Sequence, residues 1–169
     1  ATIAYRDDPF FIDPRNKELG ARGIVSLEKL YLSIKKLELK LEDPKNYYEL
    51  SHNLGIAQIN TKNLQEKVFG LECNFEELNG IDFKKGCYVG QENTARMKLK
   101  NKLRKKLFAV KSKEKLKVGS DINYNSVKIG QIVIDEPYPF GLIKIVDPDF
   151  SEYKDKDLLI NDSKSKIIK

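Results

Sequence analysis

Tryptophan is absent from this 169-residue chain, histidine and methionine occur once each, at His52 and Met97, and cysteine only twice, at Cys73 and Cys87. So few soft or imidazole ligands, with no CxxC pair among them, argue against an autonomous zinc site. Two cysteines also fall short of a secreted disulfide scaffold, although one shared disulfide is left open by the count. No uninterrupted apolar stretch has the length needed to cross a bilayer. The opening residues, Ala1 to Arg15, lack both an initiator methionine and the apolar segment of a signal peptide, which points to a chain processed or cut from a longer one.

What remains is ample for folding. Hydrophobic residues make up 40% and charged residues 33%, enough to bury a core beneath a polar surface, which excludes a disordered or fibrous chain. The length suits one ordinary domain or two small ones. A net charge of +6 biases association towards anions without naming them: nucleic acid, an anionic cofactor and an acidic protein patch all stay open.

Residues 7–23 carry Pro9, Pro14, Gly20 and Gly23 among polar residues and read as loop, with Phe10–Ile12 as a short buried strand. Leu27, Leu30, Tyr31, Ile34 and Leu37 keep helical spacing behind a capping Ser26, with Glu28 in the first turn. Residues 37–41 alternate instead, so the end of that element is ambiguous. Asp43–Pro44 starts a second helix, and Gly55 stops it. Asn74 and Glu77 have capping-box spacing. A further helix starts near Gln91 and runs to about Leu99. After that come short β-branched or aromatic runs at Leu107–Val110, Ile122–Tyr124, Val127–Ile134 and Phe140–Val146, with Asn125–Ser126 and 135–139 as connections. The expectation is α+β: a mixed domain over 1–99 and a small antiparallel β-barrel over 100–169. No internal repeat is present.

The segment Lys85-Gly86-Cys87-Tyr88-Val89-Gly90-Gln91-Glu92 is the most informative. Two glycines free the backbone around a thiol, an adjacent helix start favours its thiolate form, and Lys84, Lys85 and Arg96 favour an anion nearby. A lone cysteine before an apolar Tyr–Val pair is also an ordinary buried packing pattern, and the residues by themselves favour that reading. The order of residues closely resembles the K-G-C-Y-x-G-Q-E signature of the YgfZ/IBA57 family, with Arg96 at the arginine that follows it. Asp13-Pro14-Arg15, Leu19-Gly20 and Arg22 resemble that family's D-P-R-x-x-x-L-G-x-R segment, and Leu71-Glu72 with Asn74 its L-E-x-N.

The resemblance covers nearly the whole chain and implies the carboxy-terminal part of a T-protein-like folate-binding fold followed by the barrel. It implies a folate-dependent accessory factor for assembly or repair of iron–sulfur proteins, with tetrahydrofolate as cofactor and an iron–sulfur client or assembly protein as partner. On that footing Cys87 is the catalytic residue, and Arg15, Arg22, Tyr88, Gln91, Glu92 and Arg96 contact the cofactor. One cysteine cannot hold a whole cluster, so any cluster contact is transient or shared, and no resident metal is expected. The family's R-x-x-x-G-I-P-E-G becomes Ser51, Gly55, Ile56, Ala57, Gln58 and Ile59 here, which implies weakened or rearranged pterin binding. The expected location is cytoplasmic, or the mitochondrial matrix in a eukaryote, with no membrane contact.

Alternatives weighed beside this are an aminomethyltransferase-like tetrahydrofolate enzyme and a divergent partner-binding module without folate. His52 fits a local hydrogen bond or a solvent-facing position better than a cofactor contact, and Cys73 fits packing. The basic run Lys98–Lys106 fits a solvated interdomain face; with no aromatic interleaving, no stable nucleic-acid complex is expected.

Overall fold

The computed structural model describes residues 10–87 and 89–168. Strands β1 (Phe10–Ile12) and β2 (Ala21–Gly23) form an antiparallel hairpin in which Phe11 faces Arg22. The Asp13 N–H donates to the Gly20 carbonyl at 2.9 Å, extending the ladder by one step. Inside the hairpin Asn16 caps a single turn at Lys17–Leu19, and Leu19 is buried. The expected strand therefore forms, but it is not buried: Phe10 and Phe11 are partly covered and Ile12 faces outward.

Helix α1 (Leu27–Lys36) starts where Ser26 accepts from the Lys29 N–H, as the capping residue requires. The alternation at residues 37–41 is not a strand. Glu38 takes a left-handed φ of 51°, and the Leu39 N–H returns to the Ile34 carbonyl at 2.9 Å, the bond that closes a Schellman cap. No residue of α1 is buried; Leu27, Leu30, Tyr31 and Leu32 are all exposed. Helix α2 (Pro44–Asn53) has Asp43 accepting from the Lys45 N–H at 2.8 Å and buries Ser51 and His52. Helix α3 (Gln91–Leu99) follows Gly90, whose φ of 85° suits glycine.

Six strands close into an antiparallel barrel in the order β3-β6-β5-β4-β7-β8: β3 (Lys105–Ser112), β4 (Asp121–Tyr124), β5 (Val127–Ile134), β6 (Phe140–Lys144), β7 (Leu158–Ile160) and β8 (Ser163–Ile167). Asn125 and Ser126, with φ of 47° and 63°, make the tight β4–β5 turn. Two positive φ values in succession match the right-handed strand twist. The interior is filled by Val110, Ile122, Ile129, Ile132, Ile143 and Tyr153, among others. The fold is thus a mixed α+β arrangement of hairpin, helices and a closed six-stranded barrel.

A second apolar cluster lies on the other side of β3 and β5, where Leu64, Leu107, Ala109, Ile134 and Phe140 gather with partial cover from Ala57, Val68 and Cys73. Strand β8 pairs only Val110–Ser112 of β3, leaving the earlier part of that edge without a strand. The turn at residues 72–74 covers it. The Leu107 N–H donates to the Glu72 carbonyl at 2.7 Å, and the Asn74 side chain donates to the Leu107 carbonyl at 2.7 Å. This use of Asn74 overturns the expected capping box: Asn74 sits at φ 61°, and residues 71–79 form turns rather than a helix.

Candidate functional site

The D-P-R segment folds around one carboxylate. Asp13 is 2% exposed. It accepts the Arg15 backbone N–H at 2.9 Å, Arg15 Nε at 3.0 Å and Arg15 Nη2 at 2.7 Å, while Arg22 Nε lies 3.6 Å away. The hydrogen bonds from Arg15 hold the Asp13 carboxyl below its usual range against the opposing pull of burial. Arg15 also donates through Nη1 to Gln58 Oε1 at 3.0 Å and through Nη2 to the Tyr47 hydroxyl at 3.2 Å. Gln58 Nε2 donates to the same hydroxyl at 3.2 Å. Arg15 therefore acts as an internal clamp joining the hairpin to α2 and the segment after it, whereas the Arg22 side chain stays 49% exposed.

The signature loop is tethered to this clamp through Asn79, whose side-chain amide donates to the Pro14 carbonyl at 2.8 Å. Asp82 accepts from the Lys84 N–H at 2.8 Å and shapes the approach to the cysteine. Cys87 is exposed, just ahead of α3, and both cysteines are free thiols. Gln91 is partly buried in the first turn of α3; Glu92 and Arg96 are exposed on that helix. Tyr88 lies outside the described residues. The predicted residues thus fall on two parts of the fold: Arg15 and Arg22 gather on Asp13, whereas Cys87 precedes α3, Gln91 and Glu92 lie in its first turn and Arg96 in its last. Sequence reasoning missed Tyr47 as a member, since the two side chains that donate to its hydroxyl, Arg15 and Gln58, lie 32 and 11 residues away.

Cys73 sits elsewhere, half-buried, with burial and the neighbouring Glu72 pushing its thiol up. It lines a cavity of about 430 Å³ between the segment after α2 and β3, whose wall includes Ala57, Gln58, Leu64, Phe75 and Leu107. Among the described residues no group of three His, Cys, Asp or Glu side chains could hold a metal ion, and no helix is long and apolar enough to cross a membrane.

His52 is neither solvent-facing nor locally bonded. It is buried on α2 and donates from Nε2 to the Pro139 carbonyl at 2.9 Å, in the β5–β6 connection 87 residues away. Its ring stacks on Tyr138 and meets Phe140 edge-on. Burial lowers its pKa, only partly offset by the Pro139 and Val110 backbone and by Glu49. With the folded-state value below the unfolded one, the unfolded chain takes up the proton first. Stability is therefore expected to fall as pH drops from about 7.5 through the unfolded value of about 6.5. Thermal unfolding should show a Tm decline across that range that His52→Gln flattens; parallel profiles would remove the buried neutral imidazole from the account.

No family model matches the chain. It is similar to the mitochondrial iron–sulfur cluster assembly factor IBA57 homolog of Dictyostelium discoideum, 38% identical over 102 residues, which cover 59% of this chain and 24% of that protein. The corresponding Neurospora crassa protein is 35% identical over 96 residues, 57% of this chain and 21% of the relative. The Aspergillus oryzae homolog is 45% identical over 56 residues, 33% of this chain and 12% of the relative. The chain thus spans about a quarter or less of the length of these curated relatives.

Proposed function

We propose that this chain, homologous over more than half its length to iron–sulfur cluster assembly factors of the IBA57/YgfZ kind, serves in the assembly or repair of iron–sulfur proteins, with Cys87 as its working thiol and a reduced folate as its small-molecule ligand. The observation that carries the proposal is the exposure of Cys87 in the loop just ahead of α3, within the segment that resembles the family signature. An exposed thiol can ligate iron on a partner or exchange with a partner's disulfide, the partner sulfur it displaces leaving as a thiolate. The relatives are named as mitochondrial, and the matrix is the location we propose if the source is eukaryotic.

Residues 1–99 are, on this proposal, the latter part of a T-protein-like folate-binding domain, and the barrel is its terminal module. The exposed apolar side of α1 supports this, since Leu27, Leu30 and Tyr31, at i, i+3 and i+4, form a surface suited to being covered by more of such a domain. Support for a folate comes through one shared residue, since Arg15, Arg22, Gln91, Glu92 and Arg96 do not themselves line the cavity beside Cys73. Gln58 connects the 430 Å³ cavity to Arg15, and that volume lies in the range of small-molecule sites. With Arg15 committed to Asp13, the half-exposed Arg22 is the better contact for the carboxylates of a folate tail, and exposed Arg96 adds to the positive field. Gln91, Glu92 and Tyr88 complete the proposed contacts. A bound reduced folate supplies one-carbon carrier chemistry. The protein's residues would hold and orient it beside the Cys87 loop through Asn79.

Calorimetry with the full gene product and tetrahydrofolate tests the ligand. Binding is expected, and Arg22→Gln should weaken it by about tenfold through loss of a charge-assisted contact. Undetectable binding by the parental protein would favour a partner-binding module without folate. The function itself is tested by whether the full gene product restores iron–sulfur enzyme activity in cells lacking their own factor.

A further inference from the structure

The positive charge of the chain is concentrated in one place. Residues 82–106 hold nine Lys and Arg against Asp82 and Glu92, a surplus of seven that exceeds the +6 of the whole molecule. Lys98 and Lys106 turn to Glu76 and Glu77 and tie α3 and the start of β3 to the preceding turns. The remainder, including Lys84, Arg96, Lys100, Lys102 and Arg104, are exposed around α3.

Apolar side chains stand within this basic field. Gln91, Thr94, Ala95 and Met97 are the partly buried positions of α3, so the opposite side, Glu92, Arg96 and Leu99 at i, i+4 and i+7, faces solvent. Leu99 is 83% exposed, Val89 just ahead of the helix is fully exposed, and Phe83 is 41% exposed beneath Lys98. Solvated lysines alone would need no such neighbours, and exposed apolar groups rimmed by one sign of charge are the mark of a docking surface.

We propose that the outer face of α3 and the loop before it dock an acidic polypeptide segment, which sets apolar side chains on Val89 and Leu99 and carboxylates on the surrounding cations. The proposal deepens the assembly-factor reading, on which it rests, by giving the class of partner brought to Cys87. Charge complementarity selects an acidic occupant. The aliphatic character of Val89 and Leu99 selects a polypeptide over RNA, because neither offers a plane on which a base can stack and the one ring among the described residues of the patch, Phe83, has Lys98 over its face.

The test uses the full gene product at low salt and a fluorescently labelled random copolymer of glutamate and tyrosine, read by anisotropy. Lys100→Glu with Lys102→Glu should weaken binding by about tenfold. Lys111→Glu with Lys113→Glu, an identical charge change on the barrel, should cost less than about twofold. Val89→Ser with Leu99→Ser should cost roughly three- to tenfold. Equal losses from the two charge-reversed pairs, or no loss from the apolar pair, would overturn the proposal. So would tighter binding of polyuridylate with the same dependence on Lys100 and Lys102. Cys87→Ser is expected to leave copolymer affinity unchanged, so a failure of docking and a failure of the thiol proposal are seen separately.

Discussion

Replacing Asp13 with Ala is expected to cost roughly 3–5 kcal/mol of stability, the usual penalty for removing one partner of a buried ion pair. The carboxylate is almost wholly buried and receives three hydrogen bonds from Arg15. Without it the Arg15 guanidinium keeps only the neutral oxygens of Gln58 and Tyr47, and the Arg15 N–H loses its acceptor. Asp13→Asn retains shape and one acceptor and should cost less, about 1–3 kcal/mol. Because the Asp13 pKa is depressed in the folded state, its contribution is fully present above the unfolded carboxylate range near 4 and is lost as pH falls through the folded value. Urea unfolding at neutral and acid pH measures both effects. A loss below about 1 kcal/mol for Asp13→Ala would mean that the clamp does not hold the hairpin to α2.

Local chemistry was legible in the sequence and distant chemistry was not. Ser26, Asp43 and Asn125–Ser126 act on residues within a few positions of themselves, so the helix starts and the β4–β5 turn could be read directly. The barrel was visible through its long inner strands. Its last two strands were missed because β7 is three residues long and β8 interleaves Ser with Lys, although Asn161–Asp162, with φ of 49° and 63°, repeats the turn chemistry already recognised at Asn125–Ser126. Asn74 looked like a helix cap because its competing acceptor, the Leu107 carbonyl, lies 33 residues on. His52 and Gln58 were misjudged or left open for the same reason: their partners, Pro139 and Arg15, are 87 and 43 residues away. Of the candidate site, the resemblance singled out Cys87 and the two arginines. That Arg15 would be spent inside the fold while Arg22 remained outside could not be read without the hairpin register.

Cys87→Ser is expected to reduce support of iron–sulfur enzyme activity to below about a tenth of the parental level, since an alkyl hydroxyl is a poor iron ligand and cannot exchange with a disulfide. The substitution nearly preserves size at an exposed position, so the protein should remain folded and soluble. Cys73 provides the internal control. It is half-buried on a cavity wall, outside the signature, and Cys73→Ser should lower activity only as far as it disturbs packing. The deciding measurement is client-enzyme activity in cells lacking their own factor, with the parental gene product, Cys87→Ser and Cys73→Ser each present at equal soluble level. The account predicts rescue by the parental protein and by Cys73→Ser and little or none by Cys87→Ser; full rescue by Cys87→Ser would contradict it.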